Sequence, residues 1–151
     1  MMEKQYVIFK LNEEEYGVEI SHVQEITEHK TVTSVPNTPS FIEGIINLRG
    51  NIVPIVSIKK RFNLPQEKAG ADHRVIIINL GSKQVGFVVD DASQVLTMDE
   101  SQIENAPELI TGIDRDYIIG IGKVSEKIII LLDLEKILTE KEKKEIDKME
   151  D

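Results

Sequence analysis

Three groups of side chains in this 151-residue chain have types and spacings that invite a chemical reading. His22, Glu25 and His29 would share one face of a helix and could offer two imidazoles and a carboxylate to a metal. A helix there must be short, because Thr31 to Pro36 soon ends it, and a solvated polar face explains the same residues. Asp90-Asp91 could act as paired carboxylates in proton transfer. Ser21, however, stands in the place of Asp90 in the internal repeat described below, and Ser and Asp share helix capping instead. Gly120-Ile-Gly122-Lys123-Val-Ser125 imitates a phosphate loop, yet a strand-like run, Lys127 to Leu132, follows it where a helix N-terminus is needed. That segment reads as hairpin turn chemistry. There is no Ser-His-Asp spacing and no nucleophile elbow, and the absence of cysteine removes disulfides and thiolate metal sites. The expectation is a chain without catalytic residues, metal or cofactor, one that presents surfaces and turns over no substrate.

The side chain that calls for a partner is Arg49, inside the run Val35 to Ile58, VPNTPSFIEGIINLRGNIVPIVSI. Pro36 and Pro39 bias Val35 and Thr38 towards extended backbone. Ser40 is placed to cap a helical turn carrying Phe41, Ile42, Ile45 and Ile46 inward. Arg49-Gly50-Asn51 reads as a tight turn in which Gly50 supplies positive φ. The apolar strand Ile52 to Val56 follows, and Pro54 within it points to an edge or a bulge. A guanidinium at the lip of so apolar a segment must meet a carboxylate, a carbonyl or another protein.

The elements that position these residues occur twice. A shift of 69 aligns Gly17 with Gly86, Val18 with Phe87, Ile20 with Val89 and Ile26 with Val95. A shift of 68 then sets Pro39 on Pro107 and Gly44 on Gly112, and one of 76 sets Ile52-Val53 on Ile128-Ile129. Two copies of one plan indicate a duplicated module and not a solenoid. The subdomains span approximately residues 5–62 and 74–138, with intertwined strands allowed, joined by the Pro- and Gly-containing linker 63–73. Tyr6 to Leu11 and Tyr16 to Ile20 pair as strands. Ser21 is expected to start a short helix with Val23 and Ile26 inward. Arg74 to Leu80, Gln84 to Asp90, Tyr117 to Ile121 and Lys127 to Leu132 are further strands. Roughly ten short strands favour a mainly β fold with closed or semi-closed sheets. Thr139 and Glu142 form a capping box, so residues 139–151 carry a C-terminal helix.

Composition narrows the partners. No apolar run approaches the ~18 residues of a membrane span, and the start MMEKQYV is unlike a secretory signal, which makes the cytoplasm the expected setting. A formal charge of −9 argues against nucleic acid, whose phosphates need a basic face.

Tyr16-Gly-Val-Glu-Ile20, Val23-Gln-Glu-Ile26, Asn37-Thr-Pro39, Phe41-Ile-x-Gly44, Asn47-Leu-Arg-Gly50 and Ile52-Val-Pro-Ile-Val56 together resemble the CheW-type chemotaxis coupling proteins. Val85 to Asp90 and Ile128 to Leu138 fit the family's second half, so the resemblance runs from about Gln5 to Leu138. It implies two small five-stranded SH3-like β-barrel subdomains around a shared hydrophobic core. It also implies a non-catalytic adaptor that couples the cytoplasmic tips of chemoreceptors to the regulatory domain of the histidine kinase CheA. Such an adaptor would have no direct membrane insertion and could assemble into rings or arrays. Carried over by motif position, the receptor-facing residues are Val23, Glu25, Gly44, Arg49, Val75, Ala92 and Val95, and Arg49 is expected to lie near Glu25. Val32, Val35 and Ile42 are the kinase-facing candidates. Val23, Val75 and Val95 also fit an ordinary core, and Gly44 a close backbone approach. The alternatives are a same-fold scaffold for a histidine kinase outside chemotaxis, or an enzyme using the Asp90-Asp91 or His22/Glu25/His29 groups.

Overall fold

Nearly every apolar run of the sequence becomes a strand. The computed structural model describes residues 3–28, 31–65, 73–105 and 117–147. Among them are β1 (Glu3–Leu11), β2 (Glu14–Glu19), β3 (Val23–Glu28), β4 (Ile42–Leu48), β5 (Asn51–Ser57), β6 (Arg74–Leu80), β7 (Lys83–Val89), β8 (Asp91–Asp99), β9 (Ile103–Glu104), β10 (Ile118–Val124) and β11 (Lys127–Leu132). The helices are α1 (Ile58–Arg61) and α2 (Glu140–Asp147). One sheet has the order β8-β1-β2-β11-β10-β9, and the other β3-β6-β7-β5-β4. Among the described residues no ladder joins the two ends of either sheet.

The duplication is kept pair by pair. In the β1–β2 hairpin Val7 faces Val18, and in β6–β7 Ile76 faces Phe87, each partner displaced by the same 69 residues. In β4–β5 Ile46 faces Val53, and in β10–β11 Gly122 faces Ile129, each displaced by 76. Even the irregularities correspond, at Ile42/Gly44 and at Ile118/Gly120. Each half lends its first hairpin to the other half's sheet. Thus β2 runs parallel to β11, with Leu131 beside Gly17, and β7 runs parallel to β5, with Ile55 beside Gly86.

Successive strand residues point to opposite faces, and here both faces are buried. On β6, Ile76 and Ile78 join a central cluster shared by both sheets, whereas Val75 and Ile77 join a second cluster with Ile46, Leu48, Val53 and Ile55. On β1, Val7, Phe9 and Leu11 enter the central cluster, whereas Tyr6 and Ile8 join a third with Met98, Ile129 and Leu131. This two-sided burial explains why these strands read as continuous apolar runs. Pro54 is tolerated in an inner strand because the pairing of β5 with β7 begins only at Ile55. The capping box forms as expected: the Thr139 N–H donates to Glu142 Oε1 at 2.8 Å and the Glu142 N–H to Thr139 Oγ1 at 3.1 Å. The helix it starts is not wholly solvated, since Ile146 is buried in the central cluster.

Two expected helices are strands. After a 3-10 turn at Ile20–His22, residues Val23–Glu28 extend along β6, and Phe41 leads directly into β4. Asp90 caps no helix. Its carboxylate takes the Asn12 N–H at 2.6 Å and holds Lys59 Nζ at 3.1 and 3.2 Å, with His73 Nε2 at 3.3 Å.

Candidate functional site

The β4–β5 hairpin turns at Arg49-Gly50, where both residues have positive φ, 51° and 88°. Two positive values define a type I′ turn, which matches the twist of a hairpin. Gly50 adopts the conformation freely, but a side chain such as arginine disfavours it. The turn projects the Arg49 guanidinium towards β3, where both terminal nitrogens bond the Glu25 carboxylate, Nη1 to Oε2 at 3.2 Å and Nη2 to Oε1. The arginine side chain stays 67% exposed while Glu25 is only 26% exposed, so the carboxylate anchors and the cation is displayed. Hydrogen bonding to Glu25, and then the charge of that carboxylate, raise the guanidinium pKa above its ordinary value. A guanidinium has five N–H groups, so this grip leaves donors for a partner.

A bulge on β3 decides which face each neighbour takes. Val23 stands opposite Ile78, but after the register shift Glu25 stands opposite Ile77. Since Ile78 belongs to the central cluster and Ile77 to the second, Val23 and Glu25 lie on opposite faces of the sheet. Val23 packs half-buried on the central cluster, and Ala92 on β8 packs on the same cluster. These two occupy equivalent places in the duplication, as do Ile26 and Val95, both exposed at the outer edges of their sheets.

The structure corrects the surface role expected of two residues. Val75 is fully buried in the second cluster and presents nothing from the isolated chain. Ile42 is buried in the central cluster. Val32 and Val35 are half-buried, and Val32 packs on the second cluster beside Gly44. Gly44 is itself buried at φ 142°, and a Cβ there would lie 2.1 Å from the Thr33 carbonyl oxygen. Gly44→Ala should therefore cost about 2–4 kcal/mol, by parting the Thr33–Ile45 bridge, and urea unfolding would measure it. An unchanged midpoint would show that the Thr33 segment moves aside at no cost and that the close approach does not require Gly44.

His22 sits exposed on the 3-10 turn and Glu25 on the following strand, so no helix gathers them; His29 lies outside the described residues. Among the described residues no group of three or more His, Cys, Asp or Glu side chains could hold a metal, and no helix is long and apolar enough to cross a membrane. Two exposed residues were read from the sequence only as members of apolar strands. Ile52 is 50% exposed beside the β4–β5 turn, and Ile128 is 64% exposed beside the β10–β11 turn. Their equivalence across the repeat was the available signal.

Several known proteins resemble the chain over nearly its whole length. The chemotaxis protein CheW of Klebsiella aerogenes is 40% identical over 144 residues, covering 95% of this chain and 87% of that one. The Treponema pallidum chemotaxis protein CheW is 34% identical, covering 91% and 84%. The crystal structure of the scaffolding protein TtCheW from Thermoanaerobacter tengcongensis superposes with a TM-score of 0.84 at 39% identity, covering 94% of this chain and 92% of that one. The model of the CheW-like domain matches residues 5–142, and the chain belongs to the CheW-like domain family.

Proposed function

We propose that this chain is a non-catalytic adaptor of chemotaxis, working in the cytoplasm to couple chemoreceptor tips to the histidine kinase CheA. The observation that carries the reading is the Glu25–Arg49 pair: an arginine kept in a disfavoured backbone conformation and displayed to solvent. A hairpin corner built only for stability would take Asn or Gly at that position. Receptor tips are helical hairpins, and a helix docks by laying an apolar stripe on a matching surface. Val23, Ile26, Ala92 and Val95, on the edge strands that rim the shared core, supply apolar contact. Arg49 adds a charged anchor that fixes orientation. Gly44 and Val75 contribute from beneath, by holding the sheet that carries Glu25.

The kinase regulatory domain docks at the hairpin ends, where Ile52 and Ile128 are exposed at equivalent positions, and along the segment before β4, where Val32 and Val35 lie half-buried. Two equivalent ends allow one molecule to engage two same-fold partners, which closes rings or extends arrays as the geometry permits.

Co-sedimentation with soluble receptor-tip fragments and with the kinase regulatory domain, singly and together, tests this. Each partner should bind alone, all three should co-sediment, and light scattering should find kinase-domain complexes larger than one-to-one. Failure to bind either partner would overturn the adaptor reading. Capture of a histidine kinase from another pathway would favour the alternative scaffold.

A further inference from the structure

We propose that Asn47 is a positioning residue for Arg49, fixing the turn that displays the guanidinium; this rests on the receptor-facing reading of Arg49. Asn47 is the exposed β4 residue that faces Ile52 across the hairpin, and its side chain touches the turn directly. The Gly50 N–H donates to Asn47 Oδ1 at 2.8 Å. That N–H belongs to the peptide between Arg49 and Gly50, the central unit of the turn. Types I′ and II′ differ chiefly in which way this peptide faces, with positive φ at both central residues in the first and only at the leading one in the second. An acceptor on Asn47 therefore selects type I′.

The duplication supplies an internal control. In the equivalent hairpin the place of Asn47 is taken by Lys123 and the turn is Ser125-Glu126, where only Ser125 has positive φ, at 57°. Lys123 is engaged elsewhere, its Nζ 2.8 Å from Glu104 Oε1. The turns at Asn12-Glu13 and Gly81-Ser82 likewise have positive φ only at the first residue. The fold thus makes its other described hairpins with one positive φ, and departs from that form at the corner that carries Arg49. An Asn at this place is not required to close a hairpin. What it adds is a defined peptide orientation beneath an arginine that would otherwise sample several, and orientation set before binding is not lost on binding.

The test measures affinity of the full-length protein for the soluble cytoplasmic fragment of a chemoreceptor from the same genome, together with amide exchange and thermal unfolding. Asn47→Ala should expose the Gly50 amide to exchange and weaken binding about fivefold, the equivalent of one neutral hydrogen bond. Its melting temperature should stay within a few degrees. Asn47→Asp, which keeps the acceptor oxygen, should restore both readouts. In an Arg49→Ala background, Asn47→Ala should weaken binding no further. If Arg49→Ala weakens binding and Asn47→Ala does not, or if Asn47→Ala causes its full loss even without Arg49, the positioning role is overturned while the adaptor reading stands. If Arg49→Ala leaves binding unchanged, the receptor-facing role of this corner and the proposal built on it both fail.

Discussion

Arg49→Glu is expected to abolish most receptor binding while leaving the protein folded. The substitution removes both hydrogen bonds to Glu25 and sets two carboxylates side by side at the corner. In the free protein the consequence is small, because the site is open to solvent and exposed ion pairs contribute little to stability. The melting temperature should move by a few degrees at most. In the complex the same reversal leaves like charges within a surface the partner desolvates, and affinity for a receptor-tip fragment should fall about a hundredfold or more. Binding of the kinase regulatory domain should fall far less: Arg49 shares its hairpin with Ile52, but the contact there is apolar, and the equivalent β10–β11 end bearing Ile128 is untouched. Adding Glu25→Arg to Arg49→Glu rebuilds the pair with its polarity exchanged and should recover part of the loss. A variant that unfolds like a core lesion would make Arg49 structural. A folded variant with unchanged receptor affinity would remove it from the interface.

The pairing of Arg49 with Glu25 was legible because a cation in an apolar run needs an acceptor, and the family motif narrows the choice to one carboxylate. The strands around it were only partly legible, for a specific reason. Val23 and Ile26 are three residues apart, a helical spacing, and they do share a face, the one opposite Ile78 and Ile76. The bulge before Glu25 produces this by shifting the phase of the strand by one residue. The same holds on β4, where the bulge between Ile42 and Gly44 sets Ile42 and Ile45 in the helical register. A bulged strand therefore imitates an amphipathic helix, and only the sheet partner distinguishes the two. The repeat, by contrast, was legible at single-residue precision, since hairpin partners lie a few positions apart in sequence and turn residues fix their register. What the repeat leaves open is which sheet each hairpin joins, because the parallel contacts of Gly17 with Leu131 and of Ile55 with Gly86 are distant in sequence.

The Lys59–Asp90 ion pair left no trace in the sequence, and breaking it should produce a large loss of stability. The Lys59 side chain is 7% exposed and that of Asp90 18%, so both charges are held largely out of water. Asp90 accepts from Lys59 and from the Asn12 N–H, and thereby ties the β1–β2 turn, α1 and the β7–β8 link into one node. Asp90→Leu strands the ammonium and the Asn12 N–H together. Removing one partner of a buried pair costs about 3–5 kcal/mol; the residual exposure of Asp90 places this case near the lower end. Against a typical domain stability of about 5–15 kcal/mol, that shift is plain in urea unfolding. Lys59→Met should cost less, since the carboxylate keeps the Asn12 N–H and His73 as neighbours. The double variant Lys59→Met/Asp90→Leu should recover much of the Asp90→Leu loss, because no uncompensated charge remains and two apolar side chains pack beside the central cluster. Receptor affinity should follow stability and no more, as neither residue touches Glu25 or Arg49. An Asp90→Leu cost below about 1 kcal/mol would show that water reaches the pair and that the node is ordinary surface electrostatics.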